Sequence, residues 1–233
     1  ALELEATPDV FIDDAWARGD FDQRAAEVNV KLDGVATVKS VGGLRLKVDV
    51  EGEVVQTPLT ANRQSLTFKI PLRDFRPWSP ESPSLYTAKV DLVSGGKVIQ
   101  TRRERFGVRK IEVRGGDFYL NGRPFFFRGV GYHNDQPIHG HDLIGDRDCR
   151  REAVRKLQAA GFNSCRLHTR CETPEFFDAC DELGFLVQPE LPYYTDIPCE
   201  RFEFNPIRDA KELYVHFRRH PSFAVYSHGN EGG

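Results

Sequence analysis

The chain has 233 residues, 39% of them hydrophobic and 29% charged, with a formal net charge of -3. That length allows one large or two small cores, and the interspersed charges offer no patch for nucleic acid or an anionic membrane. No apolar run approaches the ~20 residues that a bilayer-spanning helix needs. The opening ALELEATP lacks the charged, apolar, small-residue order of a signal peptide and reads as the interior of a longer chain. The five cysteines (Cys149, Cys165, Cys171, Cys180 and Cys199) are odd in number and irregularly spaced. Full disulfide pairing is therefore excluded, and reduced thiols are the default.

Residues 1–108 read as short strands. AAEVNVKL (25–32), LRLKVDVE (44–51), SLTFKI (65–70) and LYTAKVDLV (85–93) alternate apolar and polar residues, the period of a half-buried strand. Gly95-Gly96 predicts a tight hairpin into KVIQTRRERF, whose RRER run alternates across the strand with solvated charges. The proline-rich RPWSPESPSLY (76–86) cannot be a central strand and reads as a corner or edge, with Trp78 packing there rather than serving as a sugar platform. Strands at this spacing predict an immunoglobulin-like β-sandwich.

From residue 109 the period changes. FYLNGRPFFFRGVGYH (118–133) holds an Asn121-Gly122 turn and leads into a buried strand. DRDCRREAVRKLQAAGF (146–162) predicts a helix with a stripe of Cys149, Ala153, Leu157 and Ala160, ended by Gly161. NSCRLH (163–168) is a strand. TPEFFDACDELG (173–184) is a helix with Thr173 as N-cap, Pro174 at its first position and Gly184 beyond its end. FLVQPEL (185–191) is a strand, NPIRDAKELYVHFRRH (205–220) a helix, and FAVYSHGNE (223–231) a strand. Repeated strand–helix units imply a parallel sheet, and either an open doubly wound sheet or half of a (β/α)8 barrel fits.

In both folds chemistry gathers at the C-terminal ends of the strands. His133 ends the first strand. Arg166 and His168 share one face of the second, with Cys165 and Leu167 on the other. Glu190 ends the third and Asn230-Glu231 the fourth. Exposed polar residues ordinarily resume at any strand end, but four consecutive ends delivering such groups favour a site. GVGYHN is not a nucleotide-binding fingerprint and opens no helix, which argues against a dinucleotide enzyme. A rim of carboxylate, arginine, histidine and amide suits a sugar, whose hydroxyls need paired donors and acceptors. A carboxylic acid of raised pKa can supply the proton that a glycosidic oxygen requires.

These segments resemble glycoside hydrolase family 2, the family of β-galactosidases, β-glucuronidases and β-mannosidases. FGVRKIEV followed by FYLNGRPFFFRGVGYH is similar to the family's passage from immunoglobulin-like domain to barrel. GVGYHNDQPIHG and AAGFNSCRLH resemble its first two barrel strands, and FFDACDELGFLVQPELP its second helix and third strand. RRHPSFAVYSHGNEGG is the most specific piece, similar to the acid/base motif. LELEATP resembles the end of the family's N-terminal sugar-binding domain. The resemblance implies an immunoglobulin-like β-sandwich over 1–108, then the first half of a (β/α)8 TIM barrel over 109–233. It makes Glu231 the general acid/base and Asn230, His133, Arg166, His168 and Glu190 substrate-binding. The expected activity is a retaining β-glycosidase acting on terminal β-linked sugars, with a β-galactoside as the expected substrate.

In the family the nucleophile is a second glutamate on the seventh strand, which the resemblance places outside this chain, so the chain alone is expected to be inactive. Here RLHTRC replaces the Ser-His-Tyr type run that many members carry after the arginine. The expected partner is a carbohydrate, with no nucleic acid or membrane; family members are often homo-oligomers, and the compartment is left open by the sequence, with the bacterial cytoplasm and periplasm both compatible. No cofactor is expected for the chemistry, although some relatives bind magnesium or sodium near the barrel. His133, His139 and His141 with two aspartates offer a loop metal site, but a polar active-site loop is the favoured reading. Cys165, His168 and Cys171 do not make a zinc site, because Cys165 and His168 fall on opposite strand faces and no fourth ligand is near. The alternative function is a non-catalytic carbohydrate-binding or interaction protein on the same scaffold. Gly-Asn-Glu argues against it, since a binding module needs no proton donor.

Overall fold

A computed structural model describes residues 6–35, 42–60, 64–132, 146–169, 171–192 and 205–230. The chain divides into two compact units, Ala1–Arg76 with Leu85–Val108, and Pro77–Ser84 with Arg109–Gly233.

The first unit is a two-sheet sandwich. One sheet orders β1 (Phe11–Asp20), β2 (Ala25–Asp33) and β5 (Ser65–Pro71). The other orders β4 (Glu53–Pro58), β3 (Leu44–Val50), β6 (Tyr86–Ser94) and β7 (Lys97–Phe106). All pairings within them are antiparallel. The alternating residues meet between the sheets, Val28, Val30, Phe68 and Ile70 from one and Leu46, Val48, Val90 and Leu92 from the other. The immunoglobulin-like sandwich is thus borne out. The strands β1 and β4 were not visible in the sequence. A register shift between Ile12 and Asp14 breaks the alternation of β1, and β4 exposes Val54 and Val55 at an edge.

The second unit opens with an antiparallel sheet of β8 (Ile111–Arg114), β9 (Asp117–Leu120) and β10 (Arg123–Pro124). Asn121 and Gly122 turn β9 into β10 with positive φ at both, as Asn-Gly predicts. A parallel sheet follows, β11 (Gly129–Tyr132), β12 (Ser164–Leu167) and β13 (Leu186–Gln188), in chain order. Helices α1 (Arg147–Ala159), α2 (Pro174–Leu183) and α3 (Pro206–Phe217) alternate with these strands along the chain. Parallel strands bonded in chain order, with helices between them, fit the expected first part of a (β/α)8 barrel.

Several local expectations change. The strand β11 is not buried, because it lies at the sheet edge and two of its four residues are glycine. The inward stripe of α1 is Arg150, Val154 and Leu157: Leu157 packs inward as expected, Arg150 and Val154 take the places expected for Cys149 and Ala153, and Ala160 is exposed. Thr173 occupies the N-cap position of α2 without a side-chain cap bond, whereas Asp146 and Asn205 cap α1 and α3 through their side chains. Residues 223–230 form isolated parallel bridges, Val187 with Phe223 and Glu190 with Ser227, rather than a continuous strand. Pro189 lies between them and has no N–H to give the ladder.

Pro77–Ser84 departs most from the sequence reading, since it belongs to the barrel unit although sandwich residues flank it on both sides. Trp78 is fully buried there and donates its indole N–H to the Asp181 carbonyl at 2.8 Å. A Cβ on Gly184 would lie 2.3 Å from the Pro80 carbonyl oxygen. Gly184 also has φ +75, so both the helix end and this close approach require glycine.

Candidate active site

Alternation along β12 sorts its side chains. Cys165 and Leu167 join the core formed with the helices, together with Phe176, Phe177 and Phe217. Ser164 and Arg166 line a cavity of about 420 Å³, with Phe118, Gly129, Gly131 and Gln188 also on its wall.

Arg166 is the centre of the described site. Its Nε donates to Glu190 Oε2 at 2.7 Å and its Nη2 to Glu190 Oε1 at 3.0 Å, a bidentate pair. The same Nη2 donates to Asn230 Oδ1 at 2.8 Å. Arg166, Glu190 and Asn230, expected together from three different strand ends, do meet. With its oxygen turned to the guanidinium, Asn230 keeps its amide nitrogen as a donor on the other side.

Glu190 occupies a different place from the one expected at the rim, since it is fully buried. Besides Arg166, the Thr169 amide donates to Oε1 at 2.9 Å and the Ser227 hydroxyl to Oε2 at 2.7 Å. Burial pushes this carboxyl up, but the bonds from Arg166, Ser227 and Thr169 together outweigh it and hold it below the ordinary carboxylate range. The Arg166 guanidinium is raised in turn by its bonds to Glu190. Thr169 meets Glu190 from the left-handed region, φ 57, unusual for a β-branched residue. His168 lies beside it, Nδ1 3.4 Å from Thr169 Oγ1, and its backbone N–H donates to the Tyr132 carbonyl. His133 and Glu231 lie outside the described residues, as do His139, His141 and Cys199.

The segment leading to Asn230 is mounted by groups that sequence reasoning passed over. The carboxylate of Asp181 accepts the Ser222 amide at 2.9 Å and lies 2.6 Å from His220 Nδ1. Arg109 Nε donates to the Pro221 carbonyl at 2.8 Å, and Nη2 to the Phe223 carbonyl. Burial pulls the Arg109 guanidinium down to about 10, opposed by Asp181, so it stays charged at neutral pH. Ser227 contributes through the Glu190 bond described above. Asn163 does similar work at the start of the sheet, where its amide bonds the Arg128 N–H and the Phe126 carbonyl. A polar residue directly before an apolar strand was the available signal.

Asp181, His220 and Ser222 supply the residue types of a serine-hydrolase triad, but not its geometry. Ser222 meets Asp181 through its amide, and its hydroxyl is buried with no partner among the described residues. The Arg219 Nε points at His220 Nε2, 3.4 Å away. No base therefore faces a nucleophile. Asp178 joins this group, with donor atoms of Asp178, Asp181 and His220 within 4.8 Å of one another. Both Asp181 oxygens are already engaged and Asp178 faces Arg147 at 3.6 Å, so the cluster is a structural hub. Cys165, His168 and Cys171 do not form a metal cluster among the described residues.

Comparison with known proteins agrees with this architecture. Residues 10–109 match Glycosyl hydrolases family 2, and residues 111–233 match Glycosyl hydrolases family 2, TIM barrel domain. The chain belongs to glycosyl hydrolases family 2. A relative from Formosa agariphila, provisionally named a beta-glucuronidase, is 30% identical over 218 residues, covering 89% of this chain and 26% of its own. A beta-galactosidase from Photobacterium profundum is 29% identical over 171 residues, covering 70% of this chain and 16% of its own. The apo structure of Bacteroides uniformis beta-glucuronidase 3 aligns over 97% of this chain and 29% of its own, at 26% identity and a TM-score of 0.77. The chain spans 15% to 26% of the length of the curated relatives it matches. No helix among the described residues is long and apolar enough to cross a membrane.

Proposed function

We propose that the full-length protein is a retaining β-glycosidase that releases a terminal β-linked sugar, with Glu231 as general acid/base. The observation that carries this reading is the Glu190–Arg166–Asn230 chain of charge-assisted bonds, which ends one residue before Glu231. Glu231 protonates the glycosidic oxygen as the bond to the sugar carbon breaks. A second carboxylate, from elsewhere in the full-length protein, takes the sugar carbon and later yields it to water that Glu231 deprotonates. Asn230, its oxygen held by Arg166, offers its amide nitrogen to the sugar hydroxyl beside the reacting carbon. His133 and His168 take further hydroxyls. Glu190, being buried, orients Arg166 rather than touching the sugar. The relatives' names make β-galactosides and β-glucuronides the first substrates to try, with a β-galactoside retained from the sequence reading.

The test is a panel of fluorogenic β-glycosides given to the full-length protein and its Glu231→Gln variant. We expect one sugar to be cleaved and the variant to lose about 10²–10⁴-fold, the usual worth of general acid–base catalysis. The loss should be greatest on poor leaving groups. A folded parent that cleaves nothing sinks the glycosidase reading, and a fully active variant sinks the role of Glu231.

A further inference from the structure

Charged residues are rarely buried unless paired. Yet Arg150 on α1 faces inward and lies 3.4 Å from Glu172, with both side chains only 5% exposed. Arg150 Nε is buried with no partner among the described residues. Such a pair seldom adds stability over well-packed apolar residues of similar volume, so its location matters more than its strength.

Glu172 lies in the connection from β12 to α2, three residues after Thr169. That connection is tied to Glu190 on one side, by the Thr169 amide at 2.9 Å and by Cys171 Sγ to the Glu190 carbonyl at 3.7 Å. Through Glu172 it is tied to α1 on the other. The end of the neighbouring strand reaches the same spot. The Tyr132 ring, directly before His133, stacks on Phe176 of α2 with centroids 5.1 Å apart. Burial pushes its hydroxyl up to about 12, Glu172 adds to that, and Arg150 opposes it.

We propose that the buried Arg150–Glu172 pair is a positioning device for the glycosidase site. It holds the connection after β12 so that the Thr169 amide reaches Glu190, and Arg166, gripped in bidentate fashion by Glu190, keeps its single bond to Asn230. The inference rests on the reading of Arg166 and Asn230 as sugar-site residues. The bond it acts through, Thr169 to Glu190, can be followed without any substrate.

The full-length protein and an Arg150→Met/Glu172→Leu double variant are compared in three ways: thermal midpoint, hydrogen exchange of the 166–173 segment, and kcat with KM on the best panel substrate. Apolar replacement of a buried pair is usually tolerated, so the midpoint should stay near that of the parent. The Thr169 amide should nevertheless lose protection, and kcat should fall more than KM changes. A loss of about 10²-fold in kcat/KM matches a misplacement of about 1 Å. A double variant with parental midpoint, protection and kcat overturns the proposal. If that variant does not fold, Glu172→Asp, which keeps the charge but shortens its reach, takes its place. Reduced Thr169 protection then supports the proposal and unchanged protection overturns it. A parent that cleaves no substrate would sink the glycosidase reading while the exchange result still decides the role of the pair.

Discussion

The sandwich unit and the barrel unit treat their sheets differently. In the sandwich, two sheets turn apolar faces to one interior, and Val48, Val50, Ile70 and Leu92 have no exposed surface. In the barrel unit, the apolar core among the described residues lies on the helix side of the parallel sheet, around Phe176, Phe177 and Val187. The other side carries Gly129, Gly131, Ser164, Arg166 and Gln188 around a hollow. A closed face commits nearly every position to packing. On the other face Arg166 is aimed by a buried carboxylate instead of being committed to apolar packing.

That contrast can be broken from either side. Trp78→Ala should have the largest effect on stability, about 3–5 kcal/mol, because it empties a fully buried site and strips the Asp181 carbonyl of its donor. Urea unfolding monitored within the barrel unit would measure it. A loss under about 1 kcal/mol would mean the segment is not part of that core. Next comes Gly19→Ala in the sandwich, where the new Cβ would lie 2.5 Å from the Val108 Cα and force the backbone apart, at about 1–3 kcal/mol.

The buried Glu190 should show itself in acid. Its lowered carboxyl contributes stability that is fully present above its unfolded value near 4.5 and is lost as pH falls through the lower folded value. The stability gap between the parent and Glu190→Gln should therefore be constant near neutrality and narrow below about pH 4.5. A gap that stays constant into strong acid would show that the charge of Glu190 contributes nothing. The smallest effect is expected for Gly131→Ala, where no atom of the described residues lies within 4 Å of the new Cβ. A change within about 0.5 kcal/mol would sharpen the contrast. A cost equal to that of Gly19→Ala would show that the hollow is filled in the full-length protein.

Legibility in the sequence followed the same divide. Where one face is apolar and the other wet, as in β2, β3 and β5, alternation alone located the strand. It failed for β1, where a bulge resets the period, and for β4, whose apolar residues are exposed. In the barrel unit the helix boundaries are marked by Asn-Pro, Thr-Pro and terminal glycines, but a buried Arg150 is invisible to a hydrophobic stripe, so the sequence pattern places Leu157 correctly and the first two turns of α1 one residue off. The meeting of Arg166, Glu190 and Asn230 was readable because strand ends converge in any parallel fold. The burial of Glu190 was not, since it depends on Thr169 and Ser227, residues with no signature of their own. The roles of Asp181 and Arg109 depend on contacts 41 and 112 residues away in sequence, which no local pattern encodes.

Pro77–Ser84 carries one further consequence. A segment of the barrel unit is spliced into the sandwich between Arg76 and Leu85, so the two units are interleaved along the polypeptide. A single crossover during gene shuffling at 108/109 would hand the barrel a foreign Trp78 segment, or none, and leave the Asp181 carbonyl without its donor. The pair should therefore be inherited together, and recombinants that exchange the sandwich should survive only when the new one brings an equivalent tryptophan.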